Sequence, residues 1–382
     1  MNNYATTRPR DEGGGAASRG ARGHMLCGMD DERWMRRALR LAARGIGRTS
    51  PNPVVGSVVV RDDEVVGEGW HRRAGEPHGE AVALERAGER ARGGTLYVTL
   101  EPCVHHGRTP PCVDAVLASG ATRVVFGSRD PDPRVDGSGA ARLREAGLEV
   151  TEGIAMDDVR AQNRPFFKHV RSGLPWVLLK MGLSLDGKVA ATGRRYLTGE
   201  ESRRYVHRLR DEHDAVVIGV GTVLADDPLL TVRDVRGRDP LRVVVDTDAR
   251  TPPQARVIGR DGRAVVLVGE GADRSRVASL QTVGAKVAEL PRADGRIDLR
   301  AAARWLDARD VLSVLLEGGP TLAAAMVAGG LVDQVLFIYA PLLVGDGPPN
   351  ALAASLSELR LREPRTFRLG EDVAIEGLVP PD

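Results

Sequence analysis

A histidine, a glutamate and two cysteines stand at spacings that suit a metal-dependent hydrolytic site. Glu80 follows His78 by two residues, and Cys103 and Cys112 lie farther along the chain with eight residues between them. One imidazole and two thiolates suit a catalytic zinc ion that keeps one coordination position open. Glu80 is then free to carry protons instead of binding the metal. We therefore predict zinc-assisted activation of water, with Glu80 as acid and base.

The order of these residues is typical of zinc deaminases, which act on aminated pyrimidine or purine rings through an H-x-E and P-C-x-x-C pattern. This chain keeps H-x-E and P-C but separates its cysteines by eight residues rather than two. A structural zinc ion with four protein ligands is the alternative, because His105 and His106 lie between the cysteines. Asn52 and His71 are also nearby, but spacing alone assigns neither a role.

The elements that must position these residues follow from hydrophobic periodicity and turn signals. A helix is predicted from Asp30, with Asp30 or Asp31 as its N-cap, to Gly47. The further predicted strands are 54–60, 64–70, 95–100, 123–127 and 148–153, and the further predicted helices are 78–91, 112–119 and 139–146. This alternation indicates a sheet covered on both faces. Two helix N-termini then meet at the metal, where their positive ends favour thiolates.

Composition limits the functional class. The chain has 382 residues, a net charge of +2 and only 4% aromatic residues, so neither nucleic acid nor a membrane is a predicted partner. The low count of three cysteines favours a reducing, cytoplasmic location. Residues 1–28 are rich in Arg, Gly and Ala, which predicts a disordered tail, or a misassigned start with Met25 or Met29 as the true one.

The length predicts two domains, with a boundary near Arg171–Pro175 that separates residues 29–172 from residues 173–382. The second part again alternates strands and helices. The predicted strands are 176–181, 215–218, 242–246, 264–268, 312–316 and 334–340, and the predicted helices are 200–212, 301–307 and 321–328. The second domain is therefore also α/β.

Three glycine-containing segments follow strands of the second domain. They are residues 180–187 (KMGLSLDG), 219–228 (GVGTVLADDP) and 317–321 (EGGPT). Small residues before a helix let backbone N–H groups close on a phosphate, and the third segment has this arrangement. Because position 224 is leucine, the G-x-G-x-x-G fingerprint is absent. Ordinary strand-to-helix turns are the alternative.

Taken together, these segments resemble the bifunctional deaminase/reductase family of riboflavin biosynthesis. In the first domain the resemblance rests on residues 50–56 (SPNPVVG), 75–80 (GEPHGE) and 99–112 (TLEPCVHHGRTPPC), and it extends over roughly residues 30–380. The eight-residue gap between the cysteines separates this family from cytidine deaminases. The resemblance implies a cytidine-deaminase-like three-layer domain followed by a dihydrofolate-reductase-like α/β domain. It also implies Zn²⁺ and NADPH as cofactors.

The resemblance further implies roles for individual residues. Zinc ligands are His78, Cys103 and Cys112, and Glu80 is the acid/base. Substrate contacts are Asn52, His71, Arg194, Arg210, Leu230, Arg233 and Glu317, with the arginines suited to a phosphate. NADPH contacts are Gly182, Tyr196, Thr222, Asp226, Thr247, Gly319, Pro320, Thr321, Leu322, Ala323, Ala324 and Ala325.

Two places depart from the family pattern. Gly79 stands where alanine is usual, at a cost of about 1 kcal/mol for glycine in a helix. Residues 194–199 (RRYLTG) replace Ser-x-Trp-Ile-Thr-Ser, and the preceding segment is about two residues short. Tyr196 still offers a ring to the cofactor, whereas Arg194 either binds phosphate or blocks the site.

The leading hypothesis is a cytoplasmic bifunctional enzyme. It deaminates 2,5-diamino-6-(5-phosphoribosylamino)pyrimidin-4-one and then reduces the ribosyl chain to ribityl with NADPH. One alternative is a deaminase of a related base or nucleotide with an inactive or repurposed second domain. Another alternative is a second domain that senses nucleotides or supports assembly. A homo-oligomer is compatible with each of these hypotheses.

Overall fold

A five-stranded sheet with strand order β2-β1-β3-β4-β5 forms the centre of the first domain. The computed structural model describes residues 19–105, 110–133, 135–191, 193–345, 350–352 and 358–380. The strands are β1 (Gly56–Arg61), β2 (Glu64–Trp70), β3 (Thr95–Leu100), β4 (Arg123–Ser128) and β5 (Glu149–Glu152). β1 runs antiparallel to β2 and β3, whereas β3, β4 and β5 run parallel.

Helices cover both faces of this sheet. They are α1 (Arg19–Ala42), α2 (Gly79–Ala87), α3 (Cys112–Ser119), α4 (Ser138–Glu145), α5 (Met156–Gln162) and α6 (Arg164–Ser172). Successive strand residues point to opposite faces, so Val58 packs with Met35 of α1 while Val59 packs with Val113 of α3. The predicted three-layer arrangement is confirmed.

The second domain is built on a nine-stranded sheet with the order β10-β9-β8-β7-β13-β6-β14-β16-β15. Its strands are β6 (Trp176–Ser184), β7 (Ala215–Gly219), β8 (Leu241–Val245), β9 (Ala264–Gly269), β10 (Lys286–Leu290), β13 (Ser313–Leu316), β14 (Gln334–Ala340), β15 (Arg362–Leu369) and β16 (Asp372–Leu378), with β11 (Arg292–Ala293) and β12 (Arg296–Ile297) as a separate ladder. The strands from β10 to β14 are parallel, and β16 and β15 are antiparallel additions.

Two hydrophobic clusters hold the helices on this sheet. The helices are α7 (Glu200–Glu212), α8 (Val220–Asp226), α9 (Arg274–Thr282), α10 (Leu299–Asp307) and α11 (Pro320–Ala328). Leu315 faces the cluster beneath α7 and α8, whereas Leu316 faces the cluster beneath α10 and α11. Because β6, β7 and β13 are neighbouring parallel strands, their carboxyl ends form one edge, where ligands bind in such sheets.

Most predicted elements are present, and several share their predicted bounds, including 64–70, 95–100, 112–119, 200–212 and 334–340. The predicted helix start was wrong, because α1 begins at Arg19 and Asp31 lies buried inside it. Asp31 accepts hydrogen bonds from Tyr97 Oη at 2.7 Å and from the Arg123 guanidinium at 2.8 Å. Of the predicted disordered tail, residues 1–18 lie outside the described residues, and the remainder belongs to α1.

The predicted boundary region, residues 171–175, includes the last residues of α6, a helix that was not predicted. α6 runs through Ser172, and β6 begins at Trp176, so only residues 173–175 connect them. α6 contacts the second domain through Lys168 Nζ and Asp333 Oδ2 at 2.6 Å and through His169 Nδ1 and Asp307 Oδ1 at 2.7 Å. Among the helices described, none has the length and apolar character needed to cross a membrane.

Candidate active sites

The predicted metal ligands converge at the ends of three elements. His78 directly precedes α2, Cys112 opens α3, and Cys103 follows β3. His78 Nδ1 lies 3.2 Å from Cys112 Sγ and 3.7 Å from Cys103 Sγ. Zinc bonds of about 2.0–2.3 Å at tetrahedral angles separate two ligands by roughly 3.5 Å. The three side chains therefore fit a zinc ion with a fourth position open.

Hydrogen bonds within this trio favour a thiolate. Hydrogen bonds from Cys112 and His78 outweigh burial and lower the pKa of Cys103 to about 4. The hydrogen bond with Cys103 raises the pKa of His78, and the neighbouring Cys103 and burial raise the pKa of Cys112 well above its usual value. A cation bound here favours the thiolate of each cysteine.

The four-ligand alternative is not formed by the residues that the structure describes. Their metal-ligand cluster contains His78, Cys103 and Cys112 but not His105. His106 lies outside the described residues. With the ligands found in the described part of the chain, the fourth position is open, as a catalytic rather than a structural site requires.

Glu80 points its carboxyl group into the same region. Its side chain is buried, and Oε2 has no hydrogen-bond partner among the described residues. Burial raises the pKa of this carboxyl, which makes the carboxylate a stronger proton acceptor. Glu80 is not part of the ligand cluster, in agreement with its predicted role as a proton carrier.

Gly79 explains how α2 is placed. A Cβ atom at this position would lie 2.9 Å from the backbone oxygen of Val55 and 3.3 Å from Ser57 Oγ. A Cβ at Gly69 would lie 2.3 Å from the Gly79 oxygen. The first turn of α2 thus rests directly on β1 and β2, and the departure from alanine suits this close approach.

Asn52 and His71 are brought together next to the zinc ligands. Asn52 Nδ2 donates to His71 Nε2 at 3.0 Å, and His71 Nδ1 donates to the Pro77 oxygen at 3.2 Å. Burial lowers the pKa of His71, which favours the neutral ring that accepts from Asn52. The rings of His71 and His78 are 5.1 Å apart, and Asn52 is partly exposed. His71 therefore orients Asn52 toward this site.

The second site lies at the carboxyl edge of the nine-stranded sheet. Arg210 of α7 donates through Nε and Nη2 to Glu317 Oε1 and Oε2 at 2.7 and 3.1 Å. Lys180 of β6 lies with Nζ 2.8 Å from Glu317 Oε2. Burial alone would raise the pKa of Glu317, but the charges of Arg210 and Lys180 hold it well below its usual range.

Lys180 was missed as a site residue, although it lies in the segment 180–187 that supports the resemblance. The available signal was a lysine within an otherwise apolar buried strand. Its ammonium group now stands as a positive charge held at the sheet edge by Glu317.

Leu230 and Arg233 lie on a loop beside this triad. Leu230 is buried at φ 55°, a left-handed conformation that is uncommon for leucine. Arg210 Nη1 donates to the Thr231 oxygen at 3.2 Å, and the Arg233 N–H donates to His207 Nδ1 at 3.0 Å. Arg210 is committed to Glu317 and Thr231, whereas Arg233 is exposed and its Nη1 donates to Thr231 Oγ1 at 2.8 Å.

The predicted cofactor residues lie along the same edge. A Cβ at Gly319 would lie 3.3 Å from Thr222 Oγ1, and a Cβ at Gly182 would lie 3.3 Å from Thr198 Cγ2. No side chain caps the start of α11, so its first backbone N–H groups suit a phosphate. These small residues fit an NADPH phosphate group.

The remaining predicted cofactor contacts differ in their exposure and in their place in the fold. Thr247 follows β8 and receives a hydrogen bond on Oγ1 from the Ile297 N–H at 3.3 Å. Asp226 is exposed at the end of α8. Ala323 and Ala324, also predicted to border the cofactor, are buried, and Ala323 belongs to the hydrophobic cluster beneath α11. The remaining predicted residues of α11 are Pro320, Thr321, Leu322 and Ala325.

The segment 194–199, which departs from the family sequence pattern, is held in place at its C-terminal end. The Gly199 N–H donates to Asp372 Oδ2 at 2.7 Å, and the Arg203 guanidinium donates to the Thr198 oxygen at 2.9 Å. Tyr196 is 52% exposed, with the Arg203 guanidinium 5.1 Å from its ring. Arg194 is exposed as well. The segment thus presents an aromatic ring beside the edge that holds Gly182.

Comparison with known proteins finds a family match for each of the two domains. Residues 29–128 match the cytidine and deoxycytidylate deaminase zinc-binding region, and residues 175–375 match the RibD C-terminal domain. The riboflavin biosynthesis protein RibD of Escherichia coli is 43% identical over 83% of this chain and 89% of its own length.

Two solved structures extend the comparison to the whole chain. RibD of Acinetobacter baumannii is 35% identical and superposes with a TM-score of 0.84 over 92% of this chain and 99% of its own. A diaminohydroxyphosphoribosylaminopyrimidine deaminase/5-amino-6-(5-phosphoribosylamino)uracil reductase of Thermotoga maritima is 34% identical, with a TM-score of 0.81 over 93% of this chain and 100% of its own. The two expected fold classes, cytidine-deaminase-like and dihydrofolate-reductase-like, are confirmed.

Proposed function

Because this chain belongs to the RibD family of bifunctional riboflavin-biosynthesis enzymes, we propose which of its residues perform the two reactions. The family carries a zinc-dependent deaminase and an NADPH-dependent reductase, and both domains are present here. The alternative with a repurposed second domain is not favoured, because the RibD C-terminal domain matches nearly all of it. The observation that carries the assignment of residues is the convergence of His78, Cys103 and Cys112, with the buried Glu80 beside Cys112.

In the first domain the substrate is a diaminopyrimidinone carrying a phosphoribosylamino group. His78, Cys103 and Cys112 hold zinc, which when bound acts as a Lewis acid that activates water. Glu80 accepts one proton from the attacking water and passes it to the ring nitrogen. It then accepts the second proton from the added hydroxyl group and passes it to the departing amine. Water adds and ammonia leaves, so an amino group is replaced by an oxo group.

Asn52 and His71 hold the pyrimidine ring in this scheme. The neutral His71 ring accepts from one N–H of Asn52, so that the rest of the Asn52 amide is available to the substrate. A fixed amide can orient the ring with its amino-bearing carbon beside Glu80.

In the second domain the ribosyl chain is reduced to ribityl. Gly182, Thr222 and Gly319 border NADPH, which when bound supplies the hydride. Tyr196 covers the cofactor, Arg233 binds the substrate phosphate, and Arg210 keeps Glu317 in place. Lys180 supplies the proton that accompanies the hydride. Two hydrogens are thereby added to the substrate.

The remaining parts of the proposal concern partners and location. The proposed partner is a small phosphorylated pyrimidine, and the match to a cytidine and deoxycytidylate deaminase zinc-binding region supports this choice. A cytoplasmic location, independence of nucleic acid and membranes, and assembly into a homo-oligomer stay predictions. The modest net charge of +2 supports the predicted independence of nucleic acid and membranes.

Mass spectrometry of the product tests the proposal. Zinc-loaded protein is incubated with the diaminopyrimidinone ribotide, with and without NADPH. We expect an amino-to-oxo exchange in both samples and two added hydrogens only with NADPH. Deamination without reduction would show that the segment 194–199 has disabled the second domain, and an unchanged substrate would refute both assignments.

A further inference from the structure

A short loop of the deaminase domain is held by the reductase domain. Arg48 Nη2 lies 2.6 Å from Asp211 Oδ1, and Arg48 Nη1 donates to the Asp211 oxygen at 3.0 Å. Ser50 Oγ donates to Asp214 Oδ2 at 2.9 Å. The Gly47 oxygen accepts from the Arg238 guanidinium. Residues 47–50 are therefore tied to the second domain by side-chain and backbone contacts.

The contact is close as well as polar. Gly47 has φ 70°, and a Cβ there would lie 2.5 Å from the Asp211 oxygen. The side chains of Arg48 and Asp211 are 30% and 18% exposed, so this ion pair is better shielded from solvent than most surface pairs. The loop thus has little freedom to move relative to the end of α7.

On the reductase side the two carboxylates are themselves fixed. Asp211 Oδ1 accepts from the Arg238 N–H at 2.7 Å. Asp214 Oδ2 accepts from the backbone N–H groups of Leu312 and Ser313 at 3.1 and 3.0 Å. Asp211 and Asp214 are therefore rigid supports rather than mobile surface groups.

On the deaminase side the loop leads directly to Asn52. The Asn52 N–H donates to the Thr49 oxygen at 2.8 Å, so Asn52 is part of the same turn as Arg48 and Ser50. Asn52 follows Ser50 by two residues, so the residue that contacts His71 is close in the chain to the residue that contacts Asp214. A displacement of the turn must therefore move the Asn52 amide.

We propose that Asp211 and Asp214 of the reductase domain are positioning residues for the deaminase reaction, which they serve by holding the turn that carries Asn52. This inference rests on the proposed contact between Asn52 and the pyrimidine. It makes the second domain a structural component of the first active site, in addition to its own catalytic function.

The full-length variant D211N tests the inference, with deamination and reduction measured separately. We expect the KM for deamination to rise roughly three- to tenfold, as for the loss of one hydrogen bond to substrate, with kcat changed less than twofold. E363Q is the matched control, because Glu363 pairs with Arg164 across the same two domains at 3.2 Å but far from the turn in the chain. E363Q should leave the KM for deamination unchanged. An equal effect of both variants would mean that Asp211 only helps to hold the two domains together and does not position Asn52.

The variant N52A separates failure of the inference from failure of the proposed function. If N52A leaves the KM for deamination unchanged, the role of Asn52 is wrong. If N52A raises this KM while D211N does not, only the positioning by Asp211 is wrong. The double variant D211N/N52A should match N52A alone, because both changes act through one contact, and additive effects would overturn the inference. Should D211N fail to fold, S50A removes only the hydroxyl bound to Asp214 and is expected to raise the same KM.

Discussion

Arg210 and Glu317 form a two-point ion pair between α7 and the loop after β13. Nε and Nη2 of the guanidinium face the two carboxylate oxygens at 2.7 and 3.1 Å, and both side chains are largely buried. A planar guanidinium matches a carboxylate in this way, whereas an ammonium group offers a single point of charge. The pair fixes Glu317 at the sheet edge where Lys180 also contacts it.

Replacing this arginine by lysine should therefore damage reduction selectively. For R210K we expect kcat/KM of the reductase to fall about tenfold or more, because one of the two parallel hydrogen bonds is lost and Glu317 is free to turn. Deamination should be unchanged. Steady-state kinetics with NADPH measure the first effect, and R164K is the control, since Arg164 pairs with Glu363 on the surface. Normal reduction by R210K would show that the geometry of Glu317 does not matter to the reaction.

Glu80 is expected to be needed for proton transfer but not for zinc binding. In E80Q, deamination should fall by about 10²–10⁴, the usual contribution of a general acid/base, while zinc content stays at the wild-type level. E85Q is the matched control, because Glu85 is an exposed carboxylate on the same helix. Metal analysis and ammonia release give the two readouts. Loss of zinc from E80Q would instead identify Glu80 as a ligand.

The zinc site was predictable because its parts are encoded locally. His78 and Cys112 each stand at a helix start that the turn residues around them indicate, and both helix starts were predicted within one residue. The relation of Lys180 to Glu317 was not predictable in this way, because it depends on β6 and β13 being neighbours in the sheet. Local patterns do not specify strand order.

Two errors have the same origin. Asp31 has the residue type of a helix cap, and only the folded structure brings Arg123 and Tyr97 to it and makes it a buried partner inside α1. Helix α6 was not predicted, and the contacts of Lys168 and His169 with the second domain support it. In both cases long-range contacts outweigh local preference.

His207 should make stability depend on pH. Burial and the neighbouring Arg210 lower its pKa in the folded state, and its Nδ1 accepts from the Arg233 N–H, which requires the neutral ring. The unfolded chain therefore binds the proton more readily. The stabilising contribution is present above the unfolded pKa of about 6.5 and is lost as the pH falls below it.

The variant H207N isolates this contribution, because an amide oxygen can accept from Arg233 without titrating. Between pH 7.5 and 5.5 we expect the free energy of unfolding to fall more in the wild-type protein than in H207N. Urea denaturation at both pH values gives the comparison, and titrating groups that do not interact with His207 cancel in the difference. Equal losses in the two proteins would mean that His207 is not held neutral by the fold.

Gly79 offers a test of how tightly α2 rests on the sheet. In G79A the new Cβ would stand 2.9 Å from the Val55 oxygen, a backbone atom that cannot rotate away. Overpacking of this kind costs about 1–3 kcal/mol, and the helix propensity gained from alanine, about 1 kcal/mol in a helix interior, is smaller in the first turn. We therefore expect a net loss of up to about 2 kcal/mol in unfolding free energy.

The adjacent Glu80 should move with the helix, so deamination by G79A should fall while reduction is retained. G221A is the matched control for stability, because Gly221 is also in the first turn of a helix and a Cβ there meets nothing within 4 Å. G221A should be as stable as the wild-type protein or slightly more stable. If G79A behaves like G221A, then α2 does not depend on a glycine, and the placement of Glu80 has to come from the zinc ligands rather than from contact with β1.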